Sequence, residues 1–375
     1  MDRRRFLFST TAPLLLSSLP SVARAANVPP PIIVGQTCAL SGPTQDIGRD
    51  YFTGAKLCFD ATNAAGGING RPVKFLSLDD GGDAARAEAN AEKLLDSERA
   101  DVLFGLTGDA SVARVIKSKA FSRSDRALFA PMSGMDVGHE RVFYLRATYG
   151  EELAMILTQF HGIGMKSVMI AHTQSETSRA GLDAAQALLK ARNLQPAALV
   201  PLADDARNAA SVAAEVARRA PQALVVLADT IPMAMLTREM RARNPGVFIC
   251  ALSNVNQVVL RQLLPPEVVS GVVVSRVVPE PNKTTTPVVR EFVKTLERYL
   301  DEAPSASSLE GYLSARALVA TLKKNSDPRA TTLAASLRSL DGFDFGGWQL
   351  SAREHNRWSH YADTSVMSKN GGTLS

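Results

Sequence analysis

The side chains that most often do chemistry are few in this chain and stand far apart. The five histidines, His139, His161, His172, His355 and His360, have no metal-ligand spacing, and His355 and His360 flank Trp358 near the end, where turn or surface roles suit them. The sequence contains no Gly-x-Ser-x-Gly elbow, no His-Glu-x-x-His, no Cys-x-x-Cys and no phosphate-binding Gly-Lys-Ser/Thr loop. The run GLTGDAS (residues 105–111) is glycine-rich but lacks the lysine that would hold a phosphate. A triad can be assembled from residues distant in sequence, so missing motifs alone do not exclude an enzyme. No catalytic residue, metal or cofactor is assigned from the residues.

The polar residues that remain fall in short runs after apolar segments. Ser41-Gly42-Pro43 follows the first, and Thr107, Gly108, Asp109 and Ser111 the third. Ser133 and Gly134 follow the fourth, and Arg146, Tyr149 and Glu151 the fifth. Further on come Gln174, Ser175 and Glu176, then Asp229-Thr230, then Ser253 and Asn254. Exposed amides and hydroxyls over 105–111, at the start of a helix, suit an anionic ligand group. The same residues also suit a plain capped helix, with Asp109 or Ser111 bonding backbone N–H groups. Tyr149 can cover a ligand and Glu151 can pair with an ammonium group, or Glu151 simply starts a helix. Arg146 reads best as a salt bridge.

Regular elements must position these runs. From Pro31 to Leu260, short apolar strands (IIVGQT, VKFLSL, DVLFG, ALFAP, VFYLR, SVMIA, AALVPL, ALVVLA, VFICAL) alternate with amphipathic helices such as 84–97, 150–161 and 177–192. That alternation predicts parallel sheets covered on both faces. Nine strands suit two doubly wound lobes better than one sheet, with a break near Arg146–Tyr149. In residues 58–80, a helix ends at Gly66 or Gly67, Asn69-Gly70 turns the chain, and a strand follows Pro72. After Gly271 the extended GVVVSRVVPEP can run from one lobe to the other, and helices follow at about 287–300, 308–324 and 329–339. The boundaries expected are 26–146 with 277–342 for lobe one, and 147–276 with 343–375 for lobe two.

Residues 1–25, MDRRRFLFSTTAPLLLSSLPSVARA, have a basic start, a modest apolar stretch and the small-x-small site Ala23-Arg24-Ala25. They read as a signal peptide cleaved near Ala25, twin-arginine-like at Arg3-Arg4-Arg5-Phe6-Leu7 except that Asp2 stands in place of Ser or Thr. The expected location is the periplasm. The formal charge of +5 loses four arginines and one aspartate with that segment, a change of −3, leaving +2. Such a balance argues against a nucleic-acid partner. Cys38, Cys58 and Cys250 are an odd number for an oxidising compartment; a Cys38–Cys58 bridge is possible in principle, and three buried thiols fit better.

Several longer stretches carry a family resemblance: VGQTCALSGPTQDIG, GAKLCFDATNAAGGINGRPV and LDD followed by DAARAEANAEKLL, then DVLFGLTGDAS, VFYLRATYGEE, GVVVSRVVPEP and SLEGYLSARALV. In order and spacing they resemble the leucine/isoleucine/valine-binding family of periplasmic solute-binding proteins, over nearly the whole chain after the signal. The resemblance implies the type I periplasmic binding fold, two α/β lobes joined by a three-crossing hinge that closes over a ligand. It implies a monomer that passes an amino acid or related small carboxylate to the membrane permease of an ATP-driven (ABC) importer. A ligand-sensing receptor subunit on the same fold is the alternative, and an exported α/β enzyme a more distant one. It also implies that Ser133 and the loop 107–111 contact a ligand carboxylate. Two departures stand out. Asp109 is an acid where many members carry Ser or Thr, and it would repel a carboxylate unless it caps the helix or pairs with a cation. The run 172–177 has no aromatic where many members pack one on the ligand, which points to polar ligands over leucine-like ones.

Overall fold

The computed structural model describes residues 29–191, 198–300, 302–370 and 373–374. The expected signal segment lies outside the described residues. The first sheet contains β1 (Ile32–Cys38), β2 (Val73–Asp79), β3 (Val102–Phe104), β4 (Leu128–Phe129) and β5 (Val142–Phe143), all parallel in the order β2-β1-β3-β4-β5. The second contains β6 (Val168–His172), β7 (Ala198–Pro201), β8 (Ala223–Leu227), β9 (Phe248–Ala251) and β10 (Val272–Arg276), with β11 (Asp363–Met367) and β12 (Thr373–Leu374) at one edge. Its order is β12-β11-β10-β9-β8-β6-β7, and only β11 and β12 run antiparallel to their neighbours. These are the two doubly wound lobes that alternating strands and helices predict. The run VFYLR yields only a two-residue strand; Tyr144 beyond it bridges Arg357 of the tail, and Leu145 stays in the first lobe's core.

In the first lobe α1 (Gln45–Ala64), α2 (Ala84–Asp96), α3 (Asp109–Lys117) and α4 (Lys119–Arg123) cover the sheet. In the second, α5 (Tyr149–Gly162), α6 (Glu176–Ala191), α7 (Ala209–Arg219), α8 (Thr230–Arg243), α9 (Gln257–Leu263) and α10 (Pro266–Val269) do so. Then α11 (Pro287–Tyr299), α12 (Ala306–Lys324) and α13 (Ala330–Arg338) return to the first lobe, where Phe292, Leu309, Leu318 and Leu333 join Phe59, Phe104 and Phe129 in one core. The α1–α12 contact is backbone against backbone. A Cβ on Gly54 would lie 1.7 Å from the Ser308 carbonyl oxygen, and one on Gly311 would lie 2.1 Å from that of Tyr51. Only glycine allows so close an approach.

The tail differs from the sequence expectation. Phe345, Trp348, Leu350 and Trp358 are buried in the first lobe's core, so the stretch beginning at 343 belongs with that lobe. The chain crosses to the second lobe between Trp358 and β11, which adds to the edge of β10 through pairs such as Val273 with Val366. The sequence there reads as short strands and turns, and aromatic residues set among turns do not say which lobe they join. Cys38, Cys58 and Cys250 are free and buried. Burial pushes the Cys38 and Cys58 thiols up to about 12, which leaves them unreactive.

Candidate functional site

The loops after β1, β3 and β4 of one lobe face those after β6, β8 and β9 of the other, at the carboxyl ends of both sheets, where open α/β folds bind ligands. Between them lies a cavity of about 140 Å³. Gly108, at φ 88°, turns the chain so that α3 begins on Asp109 at its edge.

Asp109 is 2 % exposed, yet no cation pairs with it among the described residues. Three hydroxyls hold its carboxylate. Ser133 donates to Oδ1 at 2.5 Å, and Tyr149 and Thr177 donate to Oδ2 at 2.8 and 2.5 Å. Its place at a helix N-terminus adds a favourable dipole. The Tyr149 ring is set over Gly134, where a Cβ would come within 2.5 Å of it, and burial beside Asp109 pushes its hydroxyl well above the usual range. The tyrosine therefore stays a donor. Thr177 belongs to α6 of the second lobe, so this carboxylate ties the lobes together.

Two further carboxylates do the same along the cleft. Thr230 donates to Asp46 at 2.8 Å, and Asn256, the N-cap of α9, donates to Asp50 at 2.9 Å. Behind the cavity Arg146 is 2 % exposed, 3.3 Å from Glu310 of the first lobe and 3.6 Å from Glu152 of the second. These charges raise its pKa against the opposing effect of burial, so it remains a cation. Ser253 bonds both Arg146 and Glu152, completing a buried knot at the hinge. Arg146 is thus the cross-hinge salt bridge expected of it, and it also lines the cavity.

Of the residues singled out from sequence, Thr107, Gly108, Asp109, Ser111, Tyr149, Ser175, Glu176 and Asn254 meet at the cavity wall. The others lie elsewhere. Ser41 bonds Asp79 at 2.6 Å, and Gln174 is exposed with its backbone N–H on Asp204. Glu151 closes the capping box of α5 with Thr148 and pairs with His360, facing a separate surface hollow. Ser133 and Gly134 sit beneath Asp109 and Tyr149, and Ser253 sits behind Arg146. The Ser133 hydroxyl, expected to meet a ligand carboxylate, is committed to Asp109. Arg146 and Asp229, also singled out from sequence, lie at the wall, whereas Thr44, Ile47, Gly82, Met132 and Thr177 were missed there. Thr177 lies one residue past the run 174–176, so it had a readable signal, and Asp229 precedes α8 as Asp109 opens α3.

Two α/β lobes, three crossings and hydrogen bonds from one lobe to the other across a closed cleft define a hinged binding protein. The family model for periplasmic binding proteins matches residues 31–367, and the chain belongs to that family. An extracellular ligand-binding receptor from Verminephrobacter eiseniae has the same fold at a TM-score of 0.85 and 23% identity, covering 92% of this chain and 100% of its own. The branched-chain amino acid transporter substrate binding protein LivJ from Streptococcus pneumoniae, solved with isoleucine, is similar at a TM-score of 0.80 and 17% identity, over 92% of this chain and 98% of its own. An amino acid binding protein from Pseudomonas aeruginosa is 32% identical over 74 residues, a stretch that spans only 20% of each chain. No helix among the described residues is long and apolar enough to cross a membrane.

Proposed function

We propose that the protein is the solute-binding component of an ATP-driven importer, taking one small polar solute into the cleft and presenting the closed form to a membrane permease. The observation that carries this reading is Asp109, a buried carboxylate at the edge of a small cavity between the lobes and held by hydroxyls from both. A ligand touching it touches the contact that closes the clamp, so binding and closure are one event. Thr107, Ser111, Tyr149, Ser175, Asp229 and Asn254 would supply the remaining contacts. The isoleucine held by the S. pneumoniae relative supports a solute of amino-acid size.

The test is a thermal-shift screen of the mature protein, followed by calorimetry on each hit. A true ligand at a hundredfold excess over its dissociation constant should add about 2.7 kcal/mol of stability. It should be recovered unchanged by mass spectrometry after prolonged incubation. Its conversion to a product would refute the reading.

A further inference from the structure

The charge on the cavity wall points to the chemistry of its occupant; this step rests on the binding reading above. Three acids, Asp109, Glu176 and Asp229, line the cavity against a single base, Arg146. Arg146 offsets them only in part, because Glu310 and Glu152 hold its guanidinium and act on it more strongly than Asp109 does. Glu176 is exposed and paired with Arg179 at 2.7 Å. Asp109 and Asp229 are left without a cation among the described residues.

Both retain acceptor capacity. A carboxylate offers about four acceptor positions, and Asp109 uses three of them on hydroxyls. Asp229 takes a bond from Asn254 Nδ2 at 3.1 Å, while burial and the charges of Asp46, Asp109 and Asp204 lift its carboxyl above the ordinary range. An additional carboxylate in so small a volume would meet two like charges at low effective dielectric, whereas an N–H donor would relieve them. On the other side, Arg146 lines the cavity, and its Nε is buried without a hydrogen-bond partner.

We propose that the occupant is a small organic amine or amide. It presents N–H groups to Asp109 and Asp229, offers an oxygen to Arg146 Nε, and carries no free carboxylate. Its size follows from the cavity of about 140 Å³. An engineered cavity of about 150 Å³ holds benzene, so about six non-hydrogen atoms fit.

Matched pairs that differ only in carboxylate against primary amide decide the matter: glycine with glycinamide, alanine with alaninamide, serine with serinamide, and ethanolamine beside them. Each is titrated by calorimetry into the mature protein. The amide should bind at least about tenfold more tightly than its acid, the scale of one charge-assisted hydrogen bond. Asp109→Asn and Asp229→Asn should each lose about tenfold for the amide, with unliganded melting temperatures showing that both variants fold. An acid that binds as tightly as its amide, or an Asp109→Asn variant with the parent's amide affinity, overturns the inference. So does a carboxylate-bearing molecule found with the purified protein by mass spectrometry, although that result leaves the binding reading intact. If no probe binds and nothing co-purifies, the binding reading fails and the inference falls with it.

Discussion

Asp50 gives the structure's sharpest statement about pH. Its Oδ2 accepts Ser305 Oγ at 2.6 Å and Asn256 Nδ2 at 2.9 Å, the second across the cleft. Those bonds favour the charged form, but burial outweighs them, and the charges of Asp46 and Glu302 add to it. The carboxyl is raised from 3.8 to about 6. A folded value above the unfolded one means that the folded protein holds this proton more tightly. The resulting stability is fully present below 3.8 and lost as pH rises through about 6. The interval corresponds to at most about 3 kcal/mol, and partial exposure of the side chain reduces the expected effect to about 1–2 kcal/mol. Asp50→Asn removes the charge, while its one carbonyl oxygen can take both bonds that Oδ2 accepts. The variant should therefore be more stable than the parent at pH 8 by about 1–2 kcal/mol, a few degrees in melting temperature. At pH 4.5 the gap should narrow, since the parent is then largely protonated at this site. Thermal unfolding of both proteins from pH 4.5 to 8 provides the comparison. A difference that does not change with pH, or a variant less stable than the parent at pH 8, would refute the linkage.

Three further substitutions test the hinge and the first lobe. Arg146→Met leaves Glu152 and Glu310 buried without their cation and should cost about 3–5 kcal/mol in urea unfolding. Glu310→Gln, which keeps an oxygen facing the guanidinium, should cost less. Gly311→Ala pushes a methyl to within 2.1 Å of the Tyr51 carbonyl oxygen and should destabilise by about 1–3 kcal/mol or more, as α1 and α12 are forced apart. An unchanged melting temperature would mean that these helices part freely.

The lobes were legible because their elements announce themselves locally. Gly66 and Gly67 take φ of 97° and 78° where α1 ends, and Asn69 and Gly70 take 51° and 80° at the turn into β2, as the residue types demand. Asn63 then ties the helix end to Val73 through two bonds of 2.7 and 2.8 Å. The tail was not legible in this way. Trp348 and Trp358 join a core built from residues distant in sequence, such as Phe104, Leu318 and Leu333, and neither has a periodicity that says which lobe it will join.

The site shows the same limit more clearly. An acid after the third strand could be read as a helix cap, as an obstacle to a carboxylate or as a partner for a cation, and the residues around it do not choose among these. The choice is made by Ser133, Tyr149 and Thr177, which lie 24, 40 and 68 residues away and come from three different elements. Each of the three is an ordinary polar residue in its own segment. Only the closed arrangement of the lobes turns them into donors on one carboxylate. Because Thr177 is contributed by the opposite lobe, the electrostatics of the proposed ligand site and the contact between the lobes share one hydrogen bond. If the proposed site is right, a substitution at Asp109 should move ligand preference and lobe closure together, whereas one at Ser41, bonded to Asp79 away from the cavity, should move neither.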